Sequence, residues 1–469
     1  MAEVVVIGAG MGGLAAALRL RRLGHAVRVL EARDEPGGLA SGFERDGFRF
    51  DGGPYILLDR AGLEWAFARL GLVLAEHVTL KPLAHVYEVT RPDGPTLRFR
   101  ASAEETAEGF ERLWPGCAAR YRRFVAAMSA HHARLRPLLY RSPRGARDLL
   151  RGGGWKSAPL LLRSLERVLA GSGLPAPLRD GLAIWTHVAG RSIGAAPSVM
   201  AFVPAIVHEN GAAYPLGGVA AVPRALAAAA QTAGVAIDYR TPARRIVCAE
   251  GAVRGVETAD GRFIEAARVV SNAGGPKTYL ELAAAATPEA EARRLRALPL
   301  QSPGVAAYLL ARGALDEAYL RFFLPGGGAP CRLLIRPAAV EPGLARDGWW
   351  PARLLAPLGH AEAEKGGRAG QEAALEALLA ERWWREGVGD SQVVARRLPV
   401  DWGAAFSLHR DAMNPVMTAR LMRAGRMAHR SPWLRGLYLA GSATHPGQWV
   451  SFCAVSGVLA AERLHEDAR

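Results

Sequence analysis

No apolar run in this chain reaches the ~18 residues that a membrane-spanning helix needs. The apolar start passes directly into a glycine-rich loop, so no secretory leader is expected. The sequence therefore predicts a protein that does not span a membrane: cytoplasmic and soluble, or peripheral on the inner face. Cysteine is scarce, and Cys117, Cys248, Cys331 and Cys453 are far apart with no C-x-x-C pair. That spacing excludes a zinc ribbon and a disulfide framework and fits a reducing compartment. Lysine is nearly absent, limited to Lys81, Lys156, Lys277 and Lys365, so the formal charge of +15 is carried by arginine. A basic balance can mark nucleic acid or an anionic surface as partner. In an Ala-, Gly- and Arg-rich chain compositional bias explains it equally well, and no nucleic-acid partner is expected. Low-complexity tracts are missing too, and half of the 469 residues are hydrophobic, enough for a large core and more than one domain.

What is present is concentrated first in residues 4–54. The β-branched run Val4-Val5-Val6-Ile7 reads as a buried parallel strand and leads into Gly8-Ala9-Gly10-Met11-Gly12-Gly13. An amphipathic helix follows, then a second strand ending in Glu31, about twenty residues past the glycines, the order of a dinucleotide-binding βαβ unit. Gly8 makes the tight turn, Gly10 lets the backbone approach a pyrophosphate, and Gly13 allows helix and strand to pack closely. Glu31 is placed to accept from ribose hydroxyls.

Further motifs narrow the choice. Glu31-Ala32-Arg33-Asp34 precedes Pro36-Gly37-Gly38-Leu39, and Asp51-Gly52-Gly53-Pro54 comes next. Tyr214-Pro215-Leu216-Gly217-Gly218 opens a second segment that ends in Val269-Val270-Ser271-Asn272-Ala273. Near the C-terminus stands Ala440-Gly441-Ser442-Ala443-Thr444-His445-Pro446-Gly447, followed by a helix from Val450. Together these resemble the flavoproteins of the amine oxidase and carotenoid desaturase superfamily, at both ends and in the middle of the chain. The resemblance implies an α/β fold: a discontinuous Rossmann-like FAD-binding domain with a mixed-sheet and helical substrate or lid domain. It also implies that FAD contacts Gly8, Gly10, Met11, Gly12, Gly13, Glu31, Ala32, Arg33, Gly38, Leu39, Gly53, Ala243, Gly441, Ser442, Gly447 and Val450. In that family the second glycine pair lies along the diphosphate, and the position of Ala243 pairs its backbone with adenine. A helix start after Gly447 is also a physical site for negative charge on a reduced flavin.

Between these segments the predicted division is residues 1–75, 211–285 and 405–469 for the FAD-binding domain, and 76–210 and 286–404 for the substrate domain. The latter is read as short strands around Pro92-Asp93-Gly94, helices over much of 101–169, a helical stretch over 178–188 carrying Trp185 and His187, and a helix over 370–385. Residues 134–167 hold nine basic side chains against Asp148 and Glu166, interleaved with Leu138, Leu139, Trp155 and Leu161. Two readings stay open for this stretch: an interfacial membrane element or an arginine-coated lid.

The resemblance implies an FAD-dependent oxidoreductase that acts on a long apolar isoprenoid, foremost a carotenoid desaturase. Alternatives are a carotenoid isomerase or retinol-saturase-like enzyme, and an amine oxidase. Ser442 argues against the last, because amine oxidases usually carry an acid there. A polyene offers no polar handle, so a missing acid–base cluster is tolerable. His445 is the polar candidate near the flavin, or else a histidine that orders its loop. Trp449, in Gln448-Trp449-Val450-Ser451-Phe452, departs from the glycine- and proline-rich run of many carotenoid enzymes and is read as a pocket wall. The oligomeric state is not encoded legibly.

Overall fold

A computed structural model describes residues 4–142, 154–186 and 193–469. Arg144, Arg147 and Arg151 of the basic stretch, and His187, lie outside the described residues. At the centre is a five-stranded parallel sheet in the order Leu437–Leu439, Arg268–Ser271, Val4–Ile7, Val27–Leu30, Ala236–Asp238. Val4, Val5 and Val6 are fully buried, as a parallel strand covered on both faces requires. Three distant stretches of chain thus build one sheet, and the α/β, Rossmann-like class read from the sequence holds.

One face of this sheet is covered by the helices Met11–Arg22, Ala221–Thr232 and Val450–Asp467, whose apolar residues share a core. The first of these is rich in alanine on its inner face, and Ala15, Ala16 and Ala17 are fully buried. Small side chains let the N-terminal and C-terminal helices meet backbone to backbone. A Cβ on Gly457 would stand 2.1 Å from the Gly12 carbonyl oxygen, so only glycine fits there. The opposite face carries the antiparallel strands Ala243–Ala249, Ala252–Thr258 and Phe263–Glu265.

The second sheet has seven strands, in the order Ser391–Arg397, Val305–Ala311, Trp350–Ala356, Arg332–Ile335, Leu320–Phe323, His85–Thr90, Leu97–Arg100. All pairs are antiparallel except Leu320–Phe323 with His85–Thr90. The helix Cys117–Leu139 and the shorter helices after it pack on this sheet through a large apolar core that includes Tyr87, Phe110 and Tyr121.

The helix expected over 370–385 runs instead over His360–Ala380. Its glycines hid the first turns from the periodicity: Gly367, at φ 54°, joins two helical pieces across a kink. The end comes early because Trp383 leaves the helix to stack on Phe323, with ring centroids 5.1 Å apart, while Trp384 enters the core.

Candidate active site

Two helix starts face one cavity of about 410 Å³. Neither the helix from Met11, capped at Gly10, nor the helix from Val450, capped at Trp449, has a side chain bonded to its first turn. The unpaired N–H groups of both are available to an anion or a polar ring. The two loops meet closely, since a Cβ on Gly12 would lie 2.7 Å from the Gly441 nitrogen.

Glu31 closes the end of the cavity beside the glycine loop. Its Oε2 accepts from the Ala9 N–H at 2.6 Å and its Oε1 from the Arg33 N–H at 2.9 Å, so the carboxylate braces the glycine loop it borders. Burial pushes its pKa up, against backbone hydrogen bonds and the Arg33 charge that pull it down. The side chain lines the cavity. Gly8, Gly10, Met11, Gly12, Ala32, Arg33, Gly38, Leu39, Gly53, Ala243, Gly441, Ser442, Trp449 and Val450 line it as well. Gly13 does not; it packs against the Gly8 carbonyl. Gly447 is also off the lining, beside Arg426 and Phe452.

His445 is not brought to the cavity, and the geometry corrects its reading as the polar group near the flavin. Its Nε2 lies 2.8 Å from the Leu138 carbonyl oxygen, and its own carbonyl is 2.9 Å from His429 Nε2. Burial pushes the His445 pKa down to about 4. It ties the loop to the helix Cys117–Leu139. Trp449 does stand at the cavity, stacked on Phe452 with centroids 5.0 Å apart and planes 15° apart.

Sequence reading missed the arginines that hold the opposite wall. Arg353 Nη1 donates to the carbonyls of Asp51 and Gly52 at 3.0 Å and of Gly53 at 2.8 Å. Arg397 Nη1 donates to Gly52 as well, with its guanidinium 4.0 Å from the Trp402 ring centroid. Burial pushes the Arg397 pKa down to about 9. Asp51 accepts from Tyr214 Oη at 2.8 Å and from the Val219 N–H at 2.7 Å, so the segment is fixed from both sides. A signal existed: Arg353 interrupts the apolar run Trp350–Ala356, and a charge inside such a strand needs a buried partner.

These features fit a flavin nucleotide. Buried Arg33 Nη1 and Arg353 Nε have no hydrogen-bond partner, and both side chains line the cavity. Among the described residues no cluster could hold a metal ion. The sequence profile described as flavin-containing amine oxidoreductase matches residues 11–318. This chain belongs to that family. It is similar along nearly its whole length to phytoene dehydrogenase of Streptomyces griseus, 31% identical over 98% of this chain and 95% of the relative. The zeta-carotene-forming phytoene desaturase of Myxococcus xanthus is 28% identical over 98% and 93%. Among solved structures, an oxidoreductase from Methanosarcina mazei superposes with TM-score 0.71 at 18% identity, covering 97% of this chain and 98% of that one. A putrescine oxidase variant reaches TM-score 0.65 at 18% identity over 100% and 99%. The last two show the shared fold. The chain is a carotenoid desaturase-like flavin oxidoreductase.

Two predictions follow from this geometry. Glu31→Ala removes a charged acceptor and frees the glycine loop, so flavin affinity falls about ten- to a hundredfold; titration of the apoprotein by flavin fluorescence measures it, and unchanged affinity would show that the carboxylate has no part in binding. The second concerns His429, buried between Ser142 Oγ at 2.9 Å and the His445 carbonyl. Burial pushes its pKa from 6.5 down to about 3. The fold holds it neutral while the unfolded chain protonates it, so its contribution is complete above pH 6.5 and is lost as pH falls toward 3. Thermal melts of His429→Gln should fall less steeply than wild type through that window, and parallel curves would refute the assignment.

Proposed function

We propose that this chain is an FAD-dependent carotenoid desaturase. The observation that carries the proposal is the continuity of the cavity, from the glycine loop and Glu31 to an apolar part lined by Leu58, Trp185, Phe322, Leu333, Leu355 and Trp449. A dinucleotide fits the first part and a hydrocarbon the second. The phytoene dehydrogenase and desaturase relatives support a carotenoid as substrate. When bound, the flavin supplies the redox chemistry by accepting a hydride from the substrate.

The chain's own residues do the rest. Under this reading Glu31 holds the adenosine ribose, the glycine loop and Gly38 lie along the diphosphate, and Ala243 meets the adenine. Gly53 and its neighbours, fixed by Arg353 and Arg397, form a rigid wall for the ring system. The uncapped start of Val450–Asp467 favours the negative charge of the reduced ring. Trp449, held flat by Phe452, and the other apolar residues orient the polyene and keep water from it. No acid follows Gly441, where Ser442 stands, which weighs against an amine as substrate.

The discriminating experiment is anaerobic mixing of purified protein with a panel of carotenoids and amines, following flavin bleaching and the product's absorption. The expected result is non-covalent FAD, released by acid, that is reduced by a carotenoid whose absorption moves to longer wavelength. A protein that cannot be reconstituted with FAD, or one reduced by amines alone, overturns the reading.

Access to so insoluble a substrate suggests surface docking through residues 134–167. No helix among the described residues is long and apolar enough to cross a membrane. Trp155 and Leu162 are more than half exposed, at 56% and 66%. Arginines near an anionic surface add about 1 kcal/mol each, and apolar side chains enter the headgroup boundary. Flotation with anionic liposomes should depend on salt and weaken when Arg141, Arg144, Arg147 and Arg151 become Gln; equal binding by that variant would leave the stretch as a lid.

A further inference from the structure

Removing two hydrogens from adjacent carbons requires an acceptor for a proton as well as one for a hydride, and the sequence motifs name none. The lining of the cavity narrows the choice. Among the described residues, its only carboxylates are Glu31 and Asp59. Glu31 stands at the nucleotide end, braced against the glycine loop. No histidine lines the cavity among the described residues. Burial pushes the thiol of Cys453 up to about 12 and raises those of Cys331 and the Tyr55 phenol, so all three stay protonated. Lys277 donates to the Ser407 hydroxyl at 2.7 Å. Asp51 does not line this cavity, and its oxygens serve Tyr214 and Val219.

Asp59 stands where the apolar part meets the start of the final helix. Its neighbours on the lining are Leu58, Leu63, Trp449, Val450 and Ser451. Oδ1 accepts from the Gly62 N–H at 3.0 Å, capping the helix Arg60–Arg69. Oδ2 accepts from Ser451 Oγ at 3.0 Å, in the first turn of Val450–Asp467. The hydrogen bonds orient the carboxylate, and each oxygen retains a lone pair. His132 and Arg136, on the helix Cys117–Leu139, and Tyr140 beyond its end are the titratable groups that act on it. Burial raises its pKa, which makes it a stronger base than a solvated aspartate.

We propose that Asp59 is the catalytic residue that takes the proton in carotenoid desaturation, an inference that rests on the proposed function. One substrate carbon loses its hydrogen with both bonding electrons to the oxidised flavin. The adjacent carbon loses a proton to an Asp59 carboxylate oxygen, and the electron pair of that C–H bond becomes the new C=C bond. Substrate is oxidised by two electrons, flavin is reduced by two, and Asp59 is left as a neutral acid until it releases the proton.

The helix cap is the competing role, and substitution can separate the two, because Asn and Ser both cap helices nearly as well as Asp. Asp59→Asn and Asp59→Ser should melt close to wild type, retain flavin, and bind the carotenoid with unchanged quenching of tryptophan fluorescence. Their turnover should fall by about a hundredfold or more, and Asp59→Glu should recover part of it. Wild type is assayed alongside with the same carotenoid: if it is inactive, the proposed function fails and not this assignment. If wild type turns over and either capped variant does so at a similar rate, Asp59 is not the proton acceptor. If both variants lose folding or flavin, the carboxylate is a structural cap and the proposal is overturned.

Discussion

The first-turn N–H groups of a helix have no acceptor within it, and two helices at opposite ends of the sequence bring such groups to the same cavity without a side chain to satisfy them. Much of the architecture serves that arrangement. The parallel sheet aligns the strands Val4–Ile7 and Leu437–Leu439 on either side of Arg268–Ser271, so that both loops open at one edge. Gly12 and Gly457 let the helices behind them touch without intervening side chains. The partner that fills the unpaired donors in a flavin oxidoreductase is the cofactor, which makes the cofactor part of the fold's own hydrogen-bond accounting.

The opposite wall solves a different problem. Gly52 and Gly53 follow the strand Phe48–Asp51 on a segment without regular structure, where the Gly52 carbonyl accepts from Tyr308 Oη at 3.2 Å and needs further donors, as does that of Gly53. Arg353 and Arg397 reach across from the seven-stranded sheet to satisfy them. Burying two guanidinium groups is costly, and the carbonyls, together with the faces of Tyr308 and Trp402, offset it. Orphaned nitrogens on Arg33 and Arg353 show where the hydrogen bonding is incomplete without a ligand. The seven-stranded sheet thus helps to build the cavity that opens beside the parallel sheet.

Much of this was legible in the sequence because it is local. A β-branched run, a spaced set of glycines and an acid at the next strand's end fix a βαβ unit whatever else the chain does, and residues 4–31 fold as that spacing requires. The same holds for the strand and glycine loop before the final helix. The helix His360–Ala380 was less legible, since Gly366 and Gly367 break the periodicity although only one of them leaves the helical region. Of the two readings of His445, the structure keeps the histidine that orders its loop, for a related reason. Its place in a cofactor-like motif says that the loop is near the cavity, but its side chain turns to a carbonyl of another helix.

Alone, the sequence determined the βαβ unit with its glycine loop and the flavin family, because each depends on residue type at short spacing. Which polar groups meet at the cavity was decided by tertiary structure. Asp59, Arg353, Arg397 and Ser451 lie in separate stretches of the chain, at least forty positions apart; their side chains acquire partners only when the two sheets and the final helix pack together. Burial, which shifts Glu31, Asp59 and Arg397 away from their ordinary pKa values, is likewise a property of that packing, since no local stretch of chain can exclude water by itself.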